Sequence, residues 1–332
     1  MFSVTNSKGF VPQSEQFEDR DMIGEDIKAY KIIREGDFAY NPARINVGSI
    51  AKYNKSEPCM VSSLYVCFKA LPQINNEWLM QLLKTPKMNF YYNVNGEGGV
   101  RVYLFYPNFA RIRTSYPSLV EQQKIASFLS IIDQRIETQK KIIEDLKKLK
   151  DAIRTKLFTS LESHCNEYDE IRNMLHYEQP SAYLVNSTEY SEDYPTPVLT
   201  ANKAFILGYT DEEQGVYDKG DCIIFDDFTM DLKYVTFPFK VKSSAIKILT
   251  PRQNIDLYFI YEYLLYLGLV SEEHKRHYIS EIESMNIIHP QLKEQRQISQ
   301  ALRSLEMQVG NAIALQNLLV KQKQHFLSRM FI

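Results

Sequence analysis

The chain has 332 residues, 44% of them apolar and 24% charged, a composition that excludes a disordered polypeptide. Its formal charge of −2 hides an uneven distribution. Residues 159–288 hold 10 Lys+Arg against 22 Asp+Glu, whereas 1–115 hold 14 against 11, 116–158 hold 9 against 6, and 289–332 hold 6 against 2. No apolar run approaches the ~20 residues of a bilayer-spanning helix, and MFSVTNSKGF lacks the basic and apolar regions of a secretory leader, so a reducing cytoplasm is expected. Cys59, Cys67, Cys165 and Cys222 show neither CxxC spacing nor a disulfide framework and read as buried thiols.

From the N-terminus, strand-like runs are Phe38–Tyr40, Met60–Phe68 and Val100–Tyr106, with a helix at Asn76–Leu83. A long helix follows Pro117, with Ser118 and Glu121 spaced as a capping box. Its apolar residues recur in a 3-4 pattern: Ile125, Leu129, Ile132, Ile136, Ile143, Leu146, Ile153 and Leu157. The next globular stretch has strand-like runs at Cys222–Phe225, Tyr234–Phe237 and Ala245–Leu249 and a helix at Leu257–Tyr266. After Pro290 comes a second long helix with Ile298, Leu302, Leu305, Val309, Ala312, Leu319, Phe326 and Met330 in the same rhythm.

The two helices are related. Tyr116–Phe158 aligns without a gap on His289–Phe331, pairing Pro117 with Pro290, Gln122 with Gln295, Leu129 with Leu302, Lys150 with Lys323 and Phe158 with Phe331. Heptad seams sustained this long predict a coiled coil of roughly 55–60 Å, and a two-fold pseudo-symmetric duplication predicts that the helices pack antiparallel. Lys150 and Lys323 occupy equivalent seam positions. Gly36-Asp37 and Gly220-Asp221, each opening a strand, extend the duplication into the globular parts. The fold expected is α+β: two mixed, strand-rich domains separated by two long helices in an antiparallel coiled coil. The divisions are 1–115, 116–160, 161–288 and 289–332. The stretch Tyr168–Tyr194 has no counterpart before Phe2, so the chain is expected to start inside its first domain, about thirty residues in.

Several stretches together carry a family resemblance: YNPARINVGSIAKYN (Tyr40–Asn54), YPSLVEQQKIASFLSIIDQRIE (Tyr116–Glu137), FDDFTMDLKYVTFPFKVKSSAIKIL (Phe225–Leu249) and YISEIESMNIIHPQLKEQRQI (Tyr278–Ile298). With the repeat, they resemble the specificity subunit of type I restriction–modification systems. The resemblance implies two target-recognition domains, each reading half of a bipartite, asymmetric double-stranded DNA site, with helices that set the gap. It implies two methylation subunits and, in the full complex, restriction subunits as partners. No active site is implied in this chain; S-adenosylmethionine, ATP and Mg would be bound by the partners, and no cofactor or metal by the chain itself. The short first domain departs from the family pattern.

Candidate DNA contacts follow from side-chain chemistry, since Arg forks onto guanine and Asn onto adenine. They are Asn41, Arg44, Asn46, Ser49 and Arg101 in the first domain. In the second they are Thr229, Lys233, Tyr234, Lys242, Ser243, Ser244, Arg276 and His277. Two other functions compete. Asp221, Asp231 and Lys233 loosely match a metal-dependent nuclease, and the long helices alone suit a protein-assembly scaffold. Tyr40-Asn41-Pro42-Ala43 only faintly resembles an adenine-methyltransferase loop, lacking its second proline and its aromatic. None of the six histidines stands in an HExxH pattern, and no Walker A motif is present.

Overall fold

A computed structural model describes residues 1–16, 29–98, 102–200, 205–271 and 276–331. It divides into two compact units, 1–141 with 313–332, and 142–312. Each unit therefore combines a globular part with half of each long helix.

Unit 1 opens with strands β1 (Phe2–Thr5) and β2 (Gly9–Pro12) and a single helical turn α1 (Gln13–Gln16). Strands β3 (Lys31–Ile33), β4 (Phe38–Tyr40), β5 (Ile50–Lys52), β6 (Cys59–Val61) and β7 (Val66–Phe68) follow. They form two sheets, ordered β2-β1-β6-β3 and β5-β4-β7. Helices α2 (Asn76–Leu83), α3 (Pro86–Asn95) and α4 (Tyr106–Phe109) lead into α5 (Leu119–His164). The run expected as one strand over Met60–Phe68 splits at Ser62–Leu64, where the Tyr65 amide turns back onto the Ser62 carbonyl. The strand expected over Val100–Tyr106 is not found in its described part. Tyr103 makes one isolated bridge to Glu97, and the chain then turns into α4, whose second residue, Pro107, has no amide to offer a ladder.

Unit 2 contains β8 (Tyr168–Glu170), the turn of helix α6 (Ile171–Met174), β9 (Leu175–Glu178), β10 (Thr196–Leu199) and β11 (Ile206–Thr210). Then come β12 (Cys222–Asp226), β13 (Leu232–Val235), β14 (Lys240–Val241), β15 (Ile246–Pro251), α7 (Leu257–Leu267), β16 (Asn286–Ile288) and α8 (Leu292–Met330). The sheets are β13-β12-β15-β9, β11-β10-β14 and the pair β16-β8. In both units a central strand (β4 or β12) pairs antiparallel with a neighbour on each side. In both, a hairpin (β1-β2 or β10-β11) joins a later strand in parallel.

The long helices run antiparallel within each unit. In unit 1 the Phe128 and Phe326 rings lie 5.0 Å apart and Lys323 Nζ lies 2.6 Å from Asp133 Oδ1. In unit 2 Lys150 Nζ is 2.6 Å from Glu306 Oε2, and His164 Nε2 is 3.0 Å from Glu294 Oε1. As residue numbers rise along α5, those of their partners fall along α8. The expected seam residues are buried or half-buried with one exception. Met330 is 36% exposed, because Leu327 and Phe331 face the core of unit 1 instead. Of the expected capping box the N-cap bond forms: the Ser118 hydroxyl accepts from the Glu121 amide, and it donates to Glu121 Oε2.

The duplication reaches individual hydrogen bonds. Gln122 Oε1 accepts from the Asn75 amide at 2.7 Å, and its Nε2 donates to the Pro117 carbonyl. Gln295 does the same with the Asp256 amide at 2.9 Å and the Pro290 carbonyl. Asn75 and Asp256 are themselves the N-caps of α2 and α7, each accepting from the amide three residues on. Counting from those caps, Trp78 packs 5.7 Å from Phe331 and Phe259 packs 5.6 Å from Phe158. The buried glutamine thus ties the start of each long helix to the start of the domain helix beside it, satisfying amide and carbonyl groups that burial would otherwise leave unpaired.

A polar knot recurs three turns further along the seam. In unit 1 it joins Gln81 of α2, Asp133 of α5 and Lys323 of α8. In unit 2 the corresponding residues are Glu262 of α7, Glu306 of α8 and Lys150 of α5, with the contributions of the two long helices exchanged. A pseudo-two-fold relation requires that exchange. Lys150 and Lys323 are therefore seam residues with defined partners rather than ends snorkelling into solvent.

Candidate nucleic-acid interface

The first-domain candidates lie on the loop between β4 and β5. Asn41 Oδ1 accepts from the Ala43 amide, and the Asn41 amide donates to Ser49. These bonds close the loop into a 3-10 turn over Ile45–Val47, ended by Gly48 at φ +94°, a conformation suited to glycine. Arg44 is left exposed without an ion pair to a described residue. Asn46 bonds Asn93 and faces a groove of ≈ 520 Å³ that also includes Asn6, Lys84, Thr85 and Asn89. Ser49 is placed in the interior: its hydroxyl donates to the Val4 carbonyl at 2.6 Å, pinning the loop to β1. Arg101 lies outside the described residues.

Sequence reasoning missed the lysines. Lys8, Lys52, Lys55 and Lys84 line a second groove of unit 1, with Lys52 paired to Glu77. Burial, and then the neighbouring Lys323, lower the Lys84 ammonium below its usual range, partly offset by Asp133. Lys8 and Lys55 are exposed, and Lys55 Nζ sits 5.1 Å from the Phe2 ring. These residues come from separate elements, so no window of sequence brings them together.

In unit 2 the β12–β13 turn is built on two aspartates. Asp226 Oδ1 accepts from the Phe228 and Thr229 amides, and Met230 takes φ +60°, a conformation L side chains rarely adopt. Thr229 is exposed on this turn and Lys233 is exposed on β13 just after it. Tyr234 is half-buried, donating to Asp221 and accepting from Arg303, and burial pushes its phenol upward. Lys242 is exposed and lies over the Tyr190 ring at 5.7 Å. Ser243 accepts from the Ala245 amide, and Ser244 is exposed. Arg276 is exposed, but His277 is buried, with Nε2 2.9 Å from Ser271 Oγ and Nδ1 2.9 Å from Glu281 Oε2. Ser49 and His277 thus belong to the framework. Arg44, Asn46, Thr229, Lys233, Lys242, Ser244 and Arg276 present polar groups at the surface or in a groove.

The nuclease constellation does not assemble. In the β12–β13 ladder Cys222 faces Val235 and Phe225 faces Leu232, so Asp221 and Asp231 flank opposite ends of the hairpin. Five residues of strand rise separate them by about 16 Å, too far to share one metal. Among the described residues no group of three His, Cys, Asp or Glu side chains could hold a metal ion. No helix among them is long and apolar enough to cross a membrane.

The fold defines a class: a duplicated α+β chain whose halves are joined through like helices running antiparallel. The sequence model of the "Type I restriction modification DNA specificity domain" matches residues 24–148 and 170–317, and the chain belongs to this family. The specificity subunit of the Escherichia coli type I restriction enzyme EcoR124I/EcoR124II is 46% identical over 117 residues, covering 33% of this chain and 29% of that subunit. The putative MjaX specificity subunit of Methanocaldococcus jannaschii is 23% identical over 331 residues, covering 86% of this chain and 75% of that one. The crystal structure of a type I S subunit from M. genitalium is similar at a TM-score of 0.62 and 15% identity, covering 90% of this chain and 84% of that one. A second solved structure, from work on assembly and conformational transition of a type I system, gives 0.55 and 17%, covering 91% and 83%.

Proposed function

We propose that the chain is the non-catalytic DNA-specificity subunit of a type I restriction–modification complex. Each unit reads one half of a bipartite, asymmetric site in double-stranded DNA, and the paired helices set the spacing and dock two methylation subunits. Restriction subunits join in the full complex. S-adenosylmethionine, ATP and Mg are bound by those partners, and the complex works in the cytoplasm. The observation that carries this reading is the duplication itself, matched twice by one specificity-domain family, once across most of each half. Matching tethers at Gln122 and Gln295 in the two halves, beside unlike polar loops, suit two heads mounted alike that read different words. The acidic second half is compatible with DNA binding where partner subunits supply much of the phosphate contact and this chain supplies base-edge contacts.

Deleting the gene and sequencing the methylated genome tests this. Loss of one bipartite adenine-methylation motif, restored by the gene in trans, is expected. Persistence of every such motif would refute the reading, as would metal-dependent DNA cleavage by the purified chain alone.

A further inference from the structure

The acidic half of the chain leaves its available cations on three neighbouring segments. Of the Lys and Arg side chains described in residues 159–288, Arg172, Lys219, Lys240 and Lys247 each lie within 3.2 Å of a carboxylate. Arg252 Nε donates to the Arg172 and Leu175 carbonyls. Lys233, Lys242 and Arg276 remain, all exposed, with no ion pair or side-chain hydrogen bond to a described residue. Lys242 lies only over the Tyr190 ring.

These residues are far apart in sequence, and Asp227 joins the segments that carry them. Its amide donates to the Ala245 carbonyl at 3.0 Å, which holds the β12–β13 turn, just before Lys233, to the β14–β15 turn, which Lys242 opens. Its carbonyl accepts from the His277 amide at 3.0 Å, and its carboxylate from the His277 and Tyr278 amides, which fixes the segment beside Arg276. The turns so joined also expose Thr229, Asp231 and Ser244. Thr229 Oγ1 accepts from the Asp231 amide and keeps its own proton to donate.

Unit 1 builds the same junction under other side chains. Continuing the gapless alignment of the helices backwards sets Leu104 against His277 and Tyr103 against Arg276. The Leu104 amide donates to the Pro42 carbonyl at 3.0 Å, in the loop after β4, as His277 does to Asp227 after β12. Tyr40 pairs with Val66 and Asp226 with Ile246, so in each unit the turn before that partner strand lies beside the loop. A common backbone carrying unlike side chains is what two heads with different words require.

Building on the DNA-specificity reading, we infer that this three-segment junction is the base-reading surface of unit 2. The β12–β13 hairpin enters the major groove, which admits a two-stranded ribbon. Arg276 forks onto O6 and N7 of a guanine. Asp231 and Thr229 meet base edges: a carboxylate accepts from a cytosine amino group, whereas a phosphate repels it. Lys233 and Lys242 take phosphates, which position the hairpin without reading sequence.

Binding of a duplex panel by the chain assembled with its methylation subunits tests this, each duplex carrying the methylated motif or one altered base pair. Arg276→Ala should bind the motif about tenfold more weakly and lose discrimination at one G·C pair of one half-site, with the other half-site read as before. Arg276→Lys should lose it too, because an ammonium keeps the charge without the fork. Lys233→Ala and Lys242→Ala should weaken binding to every duplex alike. Each should also flatten the slope of log affinity against log salt by about one. Lys219→Ala, at the other end of β12 and paired with Glu178, should match the parent. Full discrimination in either Arg276 variant, loss in both half-sites, or equal loss in Lys219→Ala would overturn the inference. So would variants that bind DNA as the parent does but release the methylation subunits, which would give the surface to protein. A parent complex that prefers no duplex would instead refute the underlying DNA reading, so the two failures are distinguishable.

Discussion

Replacing Asp227 by alanine is expected to destabilise unit 2 by about 3–5 kcal/mol, the cost of stranding a buried charge. Asp227 and Lys247 are both buried, with Oδ2 and Nζ 3.2 Å apart. The other carboxylate oxygen accepts from the His277 and Tyr278 amides at 3.0 and 2.8 Å. Alanine removes the counter-ion of a buried lysine and the side-chain acceptor of the Tyr278 amide, while the His277 amide keeps the Asp227 backbone carbonyl. Asp227→Asn keeps an acceptor oxygen and should lose less. Guanidinium denaturation of the three proteins measures the ranking. Hydrogen exchange should place the earliest loss at 277–282, which Asp227 ties to the β12–β13 turn. Equal stability of Asp227→Ala and the parent would mean that Lys247 does not depend on this carboxylate.

Glu262→Ala is expected to cost unit 2 a similar 3–5 kcal/mol. The Glu262 side chain is fully buried between Lys150 Nζ at 2.8 Å and Arg154 Nε at 2.7 Å. Those cations retain Glu306 and Asp151 as outer partners, which limits the loss. Glu262→Gln copies the residue that unit 1 carries at the same place, Gln81, and should cost about 1–3 kcal/mol, the range for hydrogen bonds to charged groups. Burial alone would raise the Glu262 carboxyl, but Lys150, Tyr258 and Arg154 outweigh it and hold the group below its ordinary 4.5. A depressed carboxylate contributes stability that is complete above the unfolded value and is lost as pH falls through the folded one. Stability measured downward from pH 5 should therefore fall more steeply in the parent than in Glu262→Gln. Parallel slopes would contradict that assignment.

The two long helices were legible because their signal is long. A 3-4 apolar rhythm without proline, repeated over 43 residues, leaves few alternatives to paired helices, and related helices in one chain favour a two-fold arrangement. Asn76–Leu83 was equally plain, since Asn75 offers an N-cap just before an apolar stretch. Short strands were less so. Tyr234–Phe237 is shifted to Leu232–Val235, where pairing with β12 outweighs local preference. The site was the least legible part. Ser49 and His277 read as surface groups until Val4, Ser271 and Glu281 are brought beside them, and Lys8, Lys55 and Lys84 form one basic rim only after the sheets fold. Side-chain chemistry names what a residue can bind, while the fold decides whether it faces outward.

The tethers at Gln122 and Gln295 also explain how the globular parts can diverge while the mounting stays fixed. Each glutamine bonds only backbone groups (Gln122 the Asn75 amide and the Gln73 and Pro117 carbonyls, Gln295 the Asp256 amide and the Pro290 carbonyl), so these bonds place no demand on the side chains of the loops. A head exchanged between family members would then meet the same helix start. That independence of the two heads is the central claim, and a domain exchange measures it most directly. Residues 159–288 are replaced by the corresponding segment of a family member with a different motif, and the methylated motif is read by sequencing the host genome. One half-site should change to the donor's word while the other half-site persists. A motif altered in both halves, or in neither, would contradict the account.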